Sequence, residues 1–569
     1  MPSALDRRMD AAMAGLVAEG GMMAVAPVEH RGRTWPAISA APPALSYYFA
    51  HFCAEHADKE FLVAGDERLT FAEVHLLALS VARALVEGYG VKKGDRVGIA
   101  MRNSPSWIAL YMGITIAGGV ATLLNGWWQG PELAAAIADV DCGLVFADGP
   151  RVQRLNEVTG VAARIVAVDD RLRLREALIH IIDTGSPAAA LPMLTGEDHA
   201  TILFTSGSTG QSKGALSDHK GVTQAIFNYL ANAIMMLQLS TEDGKAPAPQ
   251  QAMLLNVPLF HVTAEVPVLL QSFAMGRKLV LMPKWDAEEA MRLIERERVT
   301  YFVGVPLMSF EILTHPNRHN YDLSTVTDFA AGGAPRPVEH VRRLNEEMGG
   351  PAPLIGYGLT ETNGVGCGNF RDNYLAKPNS TGRASAPLVE LAILDGMGRP
   401  VAQGERGEVA IRTICNFIEY WGNPAATAAA FSPDGYFLTG DIGYLDEDGY
   451  LFIVDRKKDI IIRGGENISC QEVEAALYEH PDVAEASVFG LPDERLGEVP
   501  GAVVHPRDGA ALTREVLCEF LSHRIAAFKV PQVIWFSADL LPRLGTEKID
   551  KVSLRATYRA RYLSELAAG

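Results

Sequence analysis

The sequence predicts an α/β protein: a large N-terminal region of layered sheets and helices, a β-rich stretch after it, and a small α+β block at the C-terminus. Three observations carry that prediction. Strand and helix patterns alternate to about residue 330, which gives largely parallel sheets layered with helices. From Gly382 to Tyr450 the texture changes to short strands, glycines and turns. After Asp455 it changes again, to a helix–strand pattern of about 110 residues, long enough for a domain of its own. A chain of 569 residues exceeds one core, and the expected division is 1–455 and 456–569.

The first 40 residues are rich in Ala and Met and hold a short helix, followed by a Pro-containing approach at Pro36, Pro42 and Pro43. Phe61 to Phe71 reads as a hairpin around Gly65-Asp66. Thr70-Phe-Ala-Glu73 is a capping box opening a helix through about Glu87. Arg96 to Met101 is a strand, and Asn103-Ser104-Pro105 starts the next helix. Pro131-Glu132 opens another helix, and Asp141 to Phe146 returns as strand. Asp286 to Arg298 is amphipathic, with a strand at Thr300 to Val303. In the last block, Gln471 to His480 and Thr513 to Ala527 are helices. Ala486 to Phe489 and Gly501 to His505 pair as a hairpin, and Val533 to Ser537 is a strand.

Hydrophobic residues make up 48% and charged residues 21%, the balance of a globular protein. A net charge of −17 argues against a nucleic-acid surface. The six cysteines are widely spaced, with no C-x-x-C or His/Cys cluster, so neither a zinc site nor a disulfide framework is expected. A reducing cytoplasm is the expected setting. The N-terminus lacks an uninterrupted apolar core, so no signal peptide is expected. Trp107 to Leu124 has no charge, yet Gly118-Gly119 divides it, so a buried helix followed by a strand is expected and not a membrane span. Peripheral membrane contact and homodimerisation stay open.

The stretch from Ala200 to Gly214 carries the chemistry. Thr201 to Phe204 is a short apolar strand. Thr205, Ser206, Gly207, Ser208, Thr209 and Gly210 then supply hydroxyls and small residues whose backbone N–H groups can converge on an oxyanion. Lys213 adds a mobile cation. The spacing departs from G-x-x-x-x-G-K-[ST], so this is a phosphate loop of another kind. Further along, Ala331-Gly-Gly-Ala-Pro335 lets backbone approach a planar ligand closely. Gly356-Tyr-Gly-Leu-Thr-Glu361 sets an aromatic between glycines beside a hydroxyl and a carboxylate, and Glu361 suits Mg²⁺ held with phosphate oxygens. Thr439-Gly-Asp441 offers a carboxylate that can accept from a ribose diol.

These stretches, in this order over about residues 45 to 555, closely resemble the signature motifs of the AMP-forming acyl- and aryl-CoA synthetases of the adenylate-forming superfamily. The resemblance implies ATP, Mg²⁺ and coenzyme A, with a hydrophobic carboxylic acid as the remaining substrate. It places Thr205 to Gly210 and Lys213 on the phosphates, and Gly333, Ala334 and Pro335 along the adenine. It carries Tyr357, Gly358 and Thr360 to the nucleotide site, with Glu361 and Thr205 toward the metal. Asp441 and Arg456 take the ribose, and Lys458 is the hinge on which the small C-terminal domain moves. Gly464, Gly465 and Asn467 serve the thioester step. In Leu541-Pro-Arg-Leu-Gly-Thr-Glu-Lys548 the catalytic cation is Lys548, although Glu547 stands where Gly is usual. His261 bounds or gates the acyl pocket, with Glu265, Val305, Gly332 and Gly364 as further wall. Glu265 is costly in an aliphatic tunnel unless paired, so it is expected at the rim or hydrogen-bonded. Three alternatives remain: a carrier-protein acceptor in place of free CoA, a luciferase-like oxygenase, and a nucleotide-binding homologue without turnover. The chain ends about 20 residues after Lys548 with no carrier domain, which favours free CoA.

Overall fold

The computed structural model describes residues 2–205, 212–245, 250–333, 336–348, 352–457, 459–463, 466–507, 509–544 and 548–568, with the backbone alone at 467, 567 and 568. They form two compact units. The first comprises Met1–Leu391 with Ile411–Phe437, and the second Ala392–Ala410 with Leu438–Gly569.

The first unit contains two large sheets. One has the strand order Glu419–Tyr420, Lys213–Asp218, His199–Thr205, Val120–Leu123, Arg96–Ala100, Leu144–Asp148 and Arg164–Val168. The other runs Arg383–Ala384, Gly366–Phe370, Ala352–Gly358, Asp328–Gly332, Tyr301–Gly304, Ala252–Leu255, Lys278–Leu281, Glu60–Ala64 and Glu67–Thr70. From Ala352–Gly358 across to Glu60–Ala64 the neighbours pair in parallel. That follows from crossover connections through helices, which bury both faces.

Local signals account for the framework that holds these sheets. Thr70 and Glu73 cap each other's backbone at the start of Phe71–Glu87. Ser104 accepts from the Trp107 amide at 3.2 Å, with Pro105 in the first turn. The helix that follows, Pro105–Ile116, is buried at every position, so its apolar character serves the core. Among the described residues, no helix is long and apolar enough to cross a membrane.

Two regions differ from expectation. Beyond its helix, Ala4–Val17, the N-terminus forms an antiparallel pair, Val25–His30 with Arg33–Ile38. Pro36 stands opposite Pro27, so each missing donor falls in a two-stranded ribbon, where proline is tolerated. The helix expected over 513–527 spans only Arg514–Ser522. The Leu521 carbonyl accepts from both Arg524 and Ile525, which tightens the chain and ends the helix.

The second unit holds a four-stranded sheet (Glu390–Leu394, Gly407–Arg412, Phe437–Leu445, Leu451–Arg456) and a five-stranded one. The centre of the latter is the long hairpin Val483–Asp493 with Gly497–Pro506, the expected pairing extended at both ends. Helix Cys470–Tyr478, capped by Ser469, packs against it.

Candidate active site

Open α/β sheets bind ligands beyond the carboxyl ends of their strands, and the expected residues of the first unit gather there. Val305 follows Tyr301–Gly304, Gly332 ends its strand with Gly333 next, and Tyr357 and Gly358 end Ala352–Gly358. Gly304 pairs with Ala331 and Gly332 with Gly356, so three of these strands stop side by side. Close approach explains the glycines: any Cβ on Gly358 would collide with the Gly364 carbonyl. Ala334 and Pro335 lie outside the described residues.

In the other sheet, His199–Thr205 ends on Thr205, which pairs with Lys213 in the next strand. The pairing pins both ends of the phosphate loop, although Ser206, Gly207, Ser208, Thr209 and Gly210 lie outside the described residues. The Lys213 ammonium sits 4.8 Å above the centre of the Tyr420 ring. The hydroxyl of the same tyrosine donates to Glu361 Oε1 at 2.7 Å. Glu361 is buried on the short turn Thr360–Thr362, and its carbonyl accepts from the Phe417 amide at 2.8 Å. Tyr420 therefore joins the expected phosphate cation to the expected metal carboxylate, one from each sheet. Nothing within the motifs pointed to it, because the contact spans 59 residues of sequence.

The acyl segment lies beside this group. Asn103 fixes it, donating to the Val257 carbonyl at 2.8 Å and accepting from the Leu259 amide at 2.9 Å. His261 stands just ahead of the short helix Val262–Ala264. A Cβ on Gly364 would be 3.4 Å from Val262, so the stretch just after Glu361 touches the acyl segment. Glu265 is fully buried and not at a rim, and its partner is the Tyr111 hydroxyl at 2.7 Å. Desolvation pushes its carboxyl up to about 7, against the opposing hydrogen bond.

In the second unit, Asp441 stands opposite Arg456 in the strand pair, and the Arg456 Nε reaches its Oδ1 at 2.6 Å. Asp441 is buried and Arg456 exposed. Lys548 belongs to the same group. The Leu544 amide donates to its carbonyl at 2.7 Å and Arg543 bridges to Ile549, which closes the segment around it. Desolvation first and the Arg456 charge second push its ammonium down to about 8, with Asp441 opposing. Arg463 pairs with Glu466 in a short strand pair of the same unit. Lys458, Gly464, Gly465, Glu547 and the Asn467 side chain lie outside the described residues.

Residues 49–421 match the family described as AMP-binding enzyme, and residues 472–548 match the AMP-binding enzyme C-terminal domain. The chain belongs to the AMP-binding enzymes. It is thereby an adenylate-forming enzyme of the acyl-CoA synthetase group, as the motif order implies. Its relatives include a feruloyl-CoA synthase from Amycolatopsis sp., 33% identical over 494 residues that cover 87% of this chain and 95% of the relative. A long-chain-fatty-acid–CoA ligase from Bacillus subtilis is also 33% identical, over 528 residues, 87% of this chain and 91% of that one. Among solved structures, ATP-bound MatB from Rhodopseudomonas palustris superposes with a TM-score of 0.80 at 28% identity, covering 91% of this chain and 99% of MatB.

Proposed function

We propose that the protein is an ATP-dependent carboxylic acid–CoA ligase that forms an acyl-adenylate and pyrophosphate, then an acyl-CoA thioester and AMP. The observation that carries this reading is the Tyr420 junction, which joins Lys213, paired with Thr205 at the carboxyl end of its strand, to Glu361, on the turn just beyond the carboxyl end of Ala352–Gly358. A cation, a loop of hydroxyls and a buried carboxylate at one place suit a nucleoside triphosphate with its metal. Glu361 and Thr205 fit Mg²⁺, which takes one or two protein oxygens together with phosphate oxygens. The ion would neutralise phosphate charge there.

The residues then divide the work. Lys213 and the loop hold the β- and γ-phosphates, which leave as pyrophosphate. The substrate carboxylate attacks the α-phosphate, and Lys548 stabilises the charge spread over the two in the transition state. Asp441 accepts from the ribose hydroxyls and Arg456 orients that carboxylate. The thioester half follows a rotation of residues 456–569 about Lys458, which withdraws Lys548 and brings in Gly464, Gly465 and Asn467. The acid is hydrophobic: Phe260, Val262, Val266 and Leu269 are buried along the acyl segment, and the names of both relatives denote ligases of acids with large apolar parts.

A panel of aryl-alkanoic, aryl-propenoic and medium- and long-chain fatty acids, assayed for pyrophosphate, AMP and acyl-CoA, tests the reading. AMP and acyl-CoA should appear in equal amounts with the accepted acids. If no acid releases pyrophosphate, the ligase reading is wrong. Pyrophosphate release without any thioester would point to another acceptor.

A further inference from the structure

Glu265 is 0% exposed in an otherwise apolar run of buried residues, Val266, Val268, Leu269 and Leu270. A carboxyl group withdrawn from water is unfavourable there unless both oxygens find partners. Oε1 has the Tyr111 hydroxyl at 2.7 Å. Oε2 has no hydrogen-bond partner among the described residues. Trp107 Nε1 is buried and equally without one, and its indole stacks on the Tyr111 ring with centroids 5.4 Å apart and planes 11° from parallel. Two unsatisfied polar atoms thus belong to groups that both contact one tyrosine.

The position of the carboxyl follows from the helix. The Glu265 amide donates to the His261 carbonyl at 2.9 Å, so the two residues stand one turn apart, with His261 as the extended residue just before the helix. With His261 bounding the acyl pocket, Glu265 stands one turn further along the chain. The backbone is altered at this point as well. Glu265–Leu270 is a π-type turn, and Pro267 within it has no N–H to offer the regular ladder. Turns of this kind occur frequently where a side chain has a function. Burial holds the carboxyl near neutrality as an acid–base mixture. In its neutral form Oε2 can donate, and in its ionised form it accepts. A hydroxyl satisfies both.

We propose that Glu265, positioned by Tyr111, binds a hydroxyl group on the acyl part of the acid, so that the substrate class is a hydroxylated hydrophobic carboxylic acid. This rests on the ligase reading and on the acyl part running past His261. The hydroxyl can be phenolic or aliphatic, and matched pairs separate the two: cinnamic against 4-hydroxycinnamic acid, and decanoic against 10-hydroxydecanoic acid. In the wild type, kcat/KM should favour the hydroxylated member of one pair by about tenfold or more, because a site built for a hydroxyl rejects the analogue lacking it. Glu265→Leu and Glu265→Met should bring that ratio close to 1, mainly through KM. Glu265→Gln, which keeps a donor and an acceptor, should retain most of it. Equilibrium binding of the same acids should give the same order.

A wild-type ratio near 1 in both pairs overturns the proposal, as does a ratio that survives in a folded Leu or Met variant. Either result would leave Oε2 to a buried water. Should neither variant fold, the wild-type ratios decide alone. If none of the four acids, nor any other in the panel, releases pyrophosphate, the ligase reading has failed. If bare and hydroxylated acids are activated equally, only the role of Glu265 has.

Discussion

The two cations assigned to the nucleotide, Lys213 and Lys548, are presented by opposite means. Lys213 begins a strand of the seven-stranded sheet, its register set by pairing with Thr205, and its charge lies over the Tyr420 ring. Lys548 follows a short segment of the second unit, closed by the Arg543–Ile549 bridge. Its neighbours set its charge: water is stripped away, Arg456 opposes the ammonium, and Asp441 supports it. One cation is fixed in place by a sheet. The other has a position set by a small unit and an ammonium that burial and the Arg456 charge push down to about 8. The first arrangement suits a permanent clamp on the departing phosphates, and the second suits a group used in one half of a reaction and withdrawn for the other.

Lys548→Ala is the largest test of that contrast. Acyl-adenylate formation should fall by roughly 10²–10³, the cost of losing one preorganised charge-stabilising donor. Thioester formation from supplied acyl-adenylate should largely survive. Single-turnover measurement of each half separates them, and equal losses in both would break the division of labour. Lys213→Ala should cost less, roughly 10- to 100-fold, as expected for one charge-assisted hydrogen bond. That loss should appear mainly in KM for ATP.

The pH dependence sharpens the comparison. Lys548 is lowered to about 8, so its charged form predominates below that pH and is lost as the pH rises through it. The kcat/KM for ATP should therefore be level below about 8 and fall about tenfold per unit above. In kcat the same limb should move to higher pH, because bound phosphates favour the ammonium. Lys548→Arg should remove the limb from the accessible range, since a guanidinium stays charged. In Lys213→Ala the limb should remain. A limb that persists in Lys548→Ala would belong to another group.

The unequal legibility of these two regions in the sequence has a physical cause. Local grammar was readable: the Thr70–Glu73 capping box, the Ser104-Pro105 helix start and the strand running into Thr205 each depend on residues within a few positions. Contacts between distant residues were not. Asp441, Arg456 and Lys548 could be placed as motif residues, but nothing in their spacing says that Arg456 and Asp441 act on the Lys548 proton. Tyr420 has no local signature because its partners, Glu361 on a turn and Lys213 on another strand, are distant in sequence. The hairpin Val25–His30 with Arg33–Ile38 was hidden by its own prolines, which read as breakers until the register sets them opposite each other. Glu265 was recognised as a residue needing a partner, while the identity of that partner, Tyr111, lay 154 residues away.

Tyr420 allows the finest test, because one side chain serves both regions of the phosphate site by different chemistry. Tyr420→Phe removes the hydroxyl that reaches Glu361 and keeps the ring beneath Lys213. The loss of one hydrogen bond to a charged group is worth roughly 1.5–3 kcal/mol at most, and a supporting partner of a metal ligand typically changes metal affinity by about tenfold or somewhat more. The Mg²⁺ concentration for half-maximal adenylation should therefore rise about tenfold or more, with little change in the Lys548 limb. Tyr420→Leu removes the ring as well, and the further rise in KM for ATP measures the cation–π contact, about 0.5–2 kcal/mol. If Phe and Leu behave alike, the ring contributes nothing to Lys213 and only the sheet register holds that cation. If Phe leaves the Mg²⁺ requirement unchanged, Glu361 is oriented without Tyr420, and the junction between the two sheets is structural alone.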